Sequence, residues 1–273
     1  RNGITHMVES LTELNRVCQK PRYREEGNWM ARYLVRDTAL LFTWLFLHTP
    51  ITANQVTLLS LLIGVLGVVF FAFFGAHFFL MGALLLQLWY LLDHVDGQIA
   101  RYRRTASLSG RFFDFITHHI IHSTLFFSLG LYCFFQNHNF IFVLWGFLTS
   151  LSATIFNLIH DTKYKTFFEK LIKMNLIRVR ERVASKKKVN GKSLEKIGRK
   201  AFSLTQKLFE IHVLMNCLTL ASMLQLFLPE RFDLRTIAFL FYGICVPILA
   251  IIKTSYLVVR HKIDTEFDSY FME

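Results

Sequence analysis

Three carboxylates stand inside otherwise apolar sequence between residues 93 and 118, which read DHVDGQIARYRRTASLSGRFFDFITH. Asp93 and Asp96 are spaced i and i+3, so a helix carries both on one face. Gly97 follows at once and leaves that face without a side chain. Asp114, His118 and His122 repeat at steps of four, which again defines one helical face. Two helices that turn these faces together aim five ligand-type side chains at one point. A carboxylate inside a membrane segment is costly and marks function by default. A divalent cation holds several together, because it cancels their repulsion and replaces their lost hydration.

The elements that must position these groups are long apolar helices. The 273 residues are 53% hydrophobic and 18% charged, with 29 Phe and 4 Pro. A soluble domain carries more charge, so the reading is an all-α, polytopic integral membrane protein. Six spans are expected, at about 55–78, 80–103, 107–136, 139–160, 208–228 and 235–260. They form one catalytic domain over 51–260. A cytoplasmic N-terminal segment, 1–50, precedes it and a C-terminal tail, 261–273, follows. Residues 38–50 are apolar but too short to span, and read as an interfacial helix with Trp44 at headgroup depth. Residues 1–37 are polar and do not read as a cleavable signal, although the chain starts at Arg1 rather than Met.

The net charge of +12 is concentrated: residues 161–207 hold 15 of the 31 Lys and Arg. Beside membrane helices, such a block reads as a cytoplasmic loop against anionic lipid, not as a nucleic-acid site. The positive-inside rule then puts both termini and the acidic cluster on the cytoplasmic side. Within that loop, 165–183 reads as an interfacial amphipathic helix and KKKVNGKS as the most mobile stretch. Cys18, Cys133, Cys217 and Cys245 are scattered without a CxxC pair and read as core residues, not ligands or disulfides.

The spacing of the acidic segment resembles the signature of the CDP-alcohol phosphotransferase family. Asp93, Asp96, Gly97, Ala100, Arg101, Gly110 and Asp114 match its fixed positions in order. Only the last departs: the family has Asp there, and this chain has His118. A second match lies upstream, where ITANQVTLLS resembles the P-N-x-V-T-L start of the family's first span, with Ala53 in place of Pro. The resemblance implies transfer of a substituted phosphate from a CDP-linked donor to an alcohol acceptor with release of CMP, in phospholipid or related phosphodiester synthesis. The donor is either CDP-diacylglycerol or a CDP-linked polar alcohol, with a slight lean to the latter. It implies Mg²⁺ or Mn²⁺, with two metals possible, held by Asp93, Asp96, Asp114 and His118. It implies a nucleotide site at Asn54, Thr57, Asp96, Gly97, Ala100, Arg101 and Gly110, and a homodimer. Three roles are open to His118: general base, ligand to a second metal, or neither. His122, one turn on, is placed to orient it.

Plainer readings stand beside these. Arg101, Arg103, Arg104 and Arg111 could satisfy the acids as ion pairs, although that would require neither the Gly nor the Ala positions. His94 and His119 point off the acidic faces and read as structural, and His160 as an interface anchor. Lys163, Lys165 and Lys170 read as a solvated face rather than an acceptor site. A prenyltransferase would show a second acidic motif, and a transporter would show repeated halves with broken helices. A catalytically silent or regulatory member that binds CDP-alcohols is the remaining alternative.

Overall fold

A computed structural model describes residues 10–20, 23–25, 28–173, 210–229 and 232–271. The described residues are helices and their connectors: α1 (Leu11–Cys18), α2 (Arg36–Leu47), α3 (Ala53–Phe73), α4 (Gly75–Tyr102), α5 (Leu108–Asn137), α6 (Ile141–Lys173), α7 (Ile211–Gln225), α8 (Leu234–Val259) and α9 (Lys262–Phe271). A π-helical turn, Ala31–Val35, leads into α2. The core runs through α3, α4, α5, α7 and α8, with Phe71, Phe79, Trp89, Ile121, Leu125, Leu129, Leu218 and Phe239 sealed from solvent.

Local chemistry sets the helix ends near the acidic segment. Thr52 and Gln55 form a capping box, each side chain bonding the other's backbone N–H, and this starts α3 at Ala53. Ala53 is thus the first helical position, where the family's Pro is well tolerated. At the other end, Gly75 adopts φ +71, which reverses the chain into α4. The expected first span therefore ends five residues early, at Phe73, and α4 begins at Gly75 instead of 80. Arg104, at φ 54, closes α4 as Thr105 N–H donates to Ala100 O at 2.9 Å. Ser107 caps α5 by accepting from Gly110 N–H at 3.0 Å.

Glycines set the closest helix approaches. A Cβ on Gly130 would lie 2.6 Å from Phe142 O and 2.7 Å from Gly146 Cα, so α5 and α6 touch backbone to backbone there. The N-terminal segment packs on α4: Ala39 and Thr43 of α2 are fully buried, and Thr43 Oγ1 donates to Gln98 Oε1 at 2.7 Å.

Four helices are long and apolar enough to cross a membrane: α3, α4, α6 and α8. The apolar α7, at 15 residues, is shorter. Although α5 has 30 residues, Arg111, Asp114, His118, His119 and His122 interrupt its apolar character. The count of six is thus not reached on length and apolarity. The multiple apolar helices mark an integral multi-pass membrane protein. The fourth expected span continues beyond 160 to Lys173, because no Gly or Pro follows Gly146 in it. The beginning of the expected 165–183 helix belongs to α6. The rest, KKKVNGKS and the side chain of His160 lie outside the described residues.

Candidate active site

One turn of α4 and one turn of α5 meet at the acidic cluster. Asp93 Oδ1 lies 2.7 Å from His118 Nε2, across 25 residues of sequence. Asp114 Oδ1 lies 3.4 Å from the same nitrogen. One donor atom from each of Asp93, Asp114 and His118 falls within 4.8 Å of the others. Asp114 Oδ1 is shielded from solvent yet has no well-formed hydrogen bond, so it carries acceptor capacity that the protein does not use. Two carboxylates and an imidazole suit Mn²⁺ and also accommodate Mg²⁺. The residues fit a divalent cation.

The fourth expected ligand stands apart. Asp96, one turn further along α4, is buried and accepts a 2.6 Å hydrogen bond from Thr57 Oγ1 of α3. Among the described residues no Lys or Arg pairs with Asp93, Asp96 or Asp114. Arg101 donates its Nε–H to Cys18 O at the end of α1. Arg103 reaches Thr49 O at 2.7 Å and Ile51 O. Two of the four arginines that could have neutralised the acids, Arg101 and Arg103, instead tie the preceding segment to α4.

Two cavities meet at this cluster. The larger, about 670 Å³, is lined by Asn54, Thr57, Asp96, Gly97, Ala100, Arg101 and Gly110, all seven expected nucleotide residues, together with Asp93 and Asp114. Its size is within the range of small-molecule sites. Gly97 is bare because the Arg101 guanidinium lies across it: a Cβ there would be 3.3 Å from Arg101 Nη1. Gly110 admits α3, since a Cβ would stand 3.2 Å from Asn54 Oδ1. Gln19, Lys20 and Arg36 complete the wall. Sequence reasoning missed these three, because nothing in their spacing points at residues far along the chain. The smaller cavity, about 380 Å³, is lined by His118, His122, Phe126, Asn157, His212 and Val246 among others.

The histidines differ in their partners. His122 stands edge-to-face with the His118 ring, 5.9 Å between centroids; its Nδ1 is 2.7 Å from Asn157 Nδ2 on α6, and its Nε2 has no partner among the described residues. Asp93 and the Trp89 ring, in a T-shaped contact 5.3 Å from His118 between centroids, also hold the His118 imidazole. His94, read as structural, has its Nδ1 on Tyr90 O at 2.9 Å but also lines both cavities. His119 pairs with Asp161 at 3.2 Å on the surface.

Fold and site together define a multi-pass membrane protein with a carboxylate–imidazole centre between a larger, more polar cavity and a smaller, more apolar one. The family model for CDP-alcohol phosphatidyltransferase matches residues 50–188, just over half of the chain. The chain belongs to that family, whose members are transferases acting on CDP-alcohols and typically use a divalent metal. No match was found among curated proteins.

Proposed function

We propose that the protein transfers a substituted phosphate from a CDP-linked donor to an alcohol, with CMP as the second product. The carrying observation is the convergence of Asp93, Asp114 and His118, with both carboxylates on the wall of the cavity that Asn54, Thr57 and Asp96 also line and His118 on the wall of the smaller one. Asp93 and Asp114 would hold the divalent cation, with Asp96 available one turn away. When bound, the cation offsets the negative charge that builds on the diphosphate oxygens. Thr57 fixes the Asp96 carboxylate. The basic wall of Lys20, Arg36, Arg101 and Arg111 favours an anionic diphosphate.

His118, in the place of the family's last Asp, takes the proton of the acceptor hydroxyl. Its Nε2–H donates to Asp93, which leaves the lone pair of the neutral ring at Nδ1. The acceptor oxygen bonds to phosphorus, the phosphorus–oxygen bond to CMP breaks, and the proton rests on the imidazole. The tight grouping with Asp93 and Asp114 also favours a second reading, in which His118 is a metal ligand.

The same reading has α5 and α7 complete six spans, puts the termini and the larger cavity on the cytoplasmic side, as the basic 161–207 segment favours, and has the protein form a homodimer. The test is CMP release by purified protein with a panel of CDP-alcohols and CDP-diacylglycerol, in Mg²⁺, Mn²⁺ or EDTA, beside His118→Asp. Metal-dependent release by the native protein is the expected result. Silence of both proteins across the panel would refute the reading.

A further inference from the structure

The smaller cavity is a place for an acceptor, and its walls state what kind. The two cavities share only Asp93 and His94. Asp114 lines the larger alone, and His118 the smaller alone. In phosphoryl transfer the attacking and leaving oxygens lie roughly in line on opposite sides of phosphorus. With CMP leaving into the larger cavity, the attacking hydroxyl comes from the smaller one.

The lining of that smaller cavity sorts the candidate alcohols. Most of its exposed wall area is apolar, with Phe126, Ala153, Phe156, Val246 and Leu249 on that side, while Asn28, Asn157 and the histidines supply polar groups. Among the described residues, neither Lys nor Arg lines it, and Glu210 stands 3.3 Å from His212 Nδ1. A phosphorylated polyol would meet neither Lys nor Arg among the described lining residues, and a free polyol would set part of its hydroxyls against phenyl and alkyl groups. One polar group does await a ligand. His122 Nε2 is shielded from solvent and has no partner, while Asn157 occupies Nδ1. Whichever tautomer His122 adopts, Nε2 is left to a hydroxyl or carbonyl of the bound molecule.

We infer that this cavity is the acceptor subsite and takes a lipid alcohol, with a small polar end at His118 and His122 and an apolar body against Phe126, Phe156 and Val246. The polar alcohol then arrives on the CDP carrier. This inference rests on the transferase reading above. It also reaches outside the family-matched segment, since Val246 and Leu249 lie on α8.

The test uses the full chain in detergent with a diazirine-bearing diacylglycerol, followed by mapping of the labelled peptides. The expected label falls on the segments around Phe156 and Val246. Short-chain dioctanoylglycerol displaces it, and inositol and glycerol 3-phosphate do not. Ala153→Phe, which fills the cavity, and Leu249→Trp, at a half-buried position that tolerates bulk, should each lower labelling about tenfold while CDP affinity in Mg²⁺ stays within about twofold. Label that lands elsewhere, persists in both variants, or yields to the polar alcohols overturns the inference. So does CMP release that requires CDP-diacylglycerol with a polar acceptor. Site-specific labelling without CMP release from any donor would refute the transferase reading alone. CMP release with a polar acceptor and no labelling would refute the subsite alone.

Discussion

At the scale of single residues, the site divides its work by geometry. Asp93 bonds His118 at 2.7 Å, and Asp114 approaches the same nitrogen. Asp93→Asn or Asp114→Asn should lower metal-dependent CMP release by at least about 10²-fold, read in initial-rate assays. His118→Ala separates the two roles of the imidazole. A base predicts a fall in kcat of about 10²–10⁴-fold with Mn²⁺ affinity kept, whereas a ligand predicts that Mn²⁺ binding, followed by electron paramagnetic resonance, weakens with it. Thr57 holds Asp96 through a 2.6 Å bond in the wall of the larger cavity. Thr57→Val keeps the shape and removes that bond. It should weaken CDP binding about tenfold by calorimetry, and unchanged affinity would detach Asp96 from the nucleotide.

At the scale of elements, what matters is how closely α4, α5 and α6 approach one another. Asp114 and His118 share a face of α5, as their spacing required, but that spacing says nothing of which helix they meet. The meeting depends on small residues. The Gly130–Gly146 contact lets α5 and α6 touch, which also brings Asn157 to His122. Gly130→Ala puts a methyl against backbone on α6, where no side chain can yield. The expected loss is about 1–3 kcal/mol, seen as a lower apparent Tm in detergent. A Tm equal to that of the native protein would show that the two helices are free to separate. The N-terminal helices also prove to be site elements: Arg101 and Arg103 tie them to α4 through the carbonyls of Cys18, Thr49 and Ile51. The expectation for 38–50 was a short apolar helix and carried no role in the wall, because Arg36 and Gln19 become neighbours only through packing on Gln98 and each other.

At the scale of the whole molecule, the end of the bundle away from the site is locked by one charged cluster. Asp233 caps α8 and accepts from Arg235 Nε at 2.6 Å, Tyr132 OH at 2.8 Å and Thr236 Oγ1 at 2.8 Å. The buried Arg235 also donates to Ala76 O at 2.8 Å, which joins α8 to the start of α4. Burial by itself would raise the Asp233 carboxyl, but the bonds from Arg235, Thr236 and Tyr132 outweigh it and hold the group below the ordinary carboxylate range. A carboxyl depressed on folding contributes stability that is present above its unfolded value, near pH 4, and is lost as pH falls through its folded value. Thermal unfolding of the native protein should therefore show a drop in Tm below about pH 4 that Asp233→Asn removes. The variant leaves Arg235 buried without its charge partner and should cost on the order of 3 kcal/mol at neutral pH. An acid profile shared by native protein and variant would contradict this account.

Residue spacing by itself determined which side chains share a helical face, where capped helices begin, and that apolar segments of this length belong in a membrane. The seven residues expected at the nucleotide site followed instead from the family resemblance, while spacing alone contained both halves of the cluster, Asp93 with Asp96 and Asp114 with His118. Those are local consequences of a 3.6-residue turn and of hydropathy. Only the tertiary structure decided that His118 bonds Asp93, that His122 turns to Asn157, that residues near the N-terminus wall the larger cavity, and that a second cavity lies beyond the imidazole. Each of these depends on crossing angles and on contacts between helices far apart in the chain. Side-chain volume at the crossings, glycine above all, sets those angles, and no periodicity within one helix encodes them.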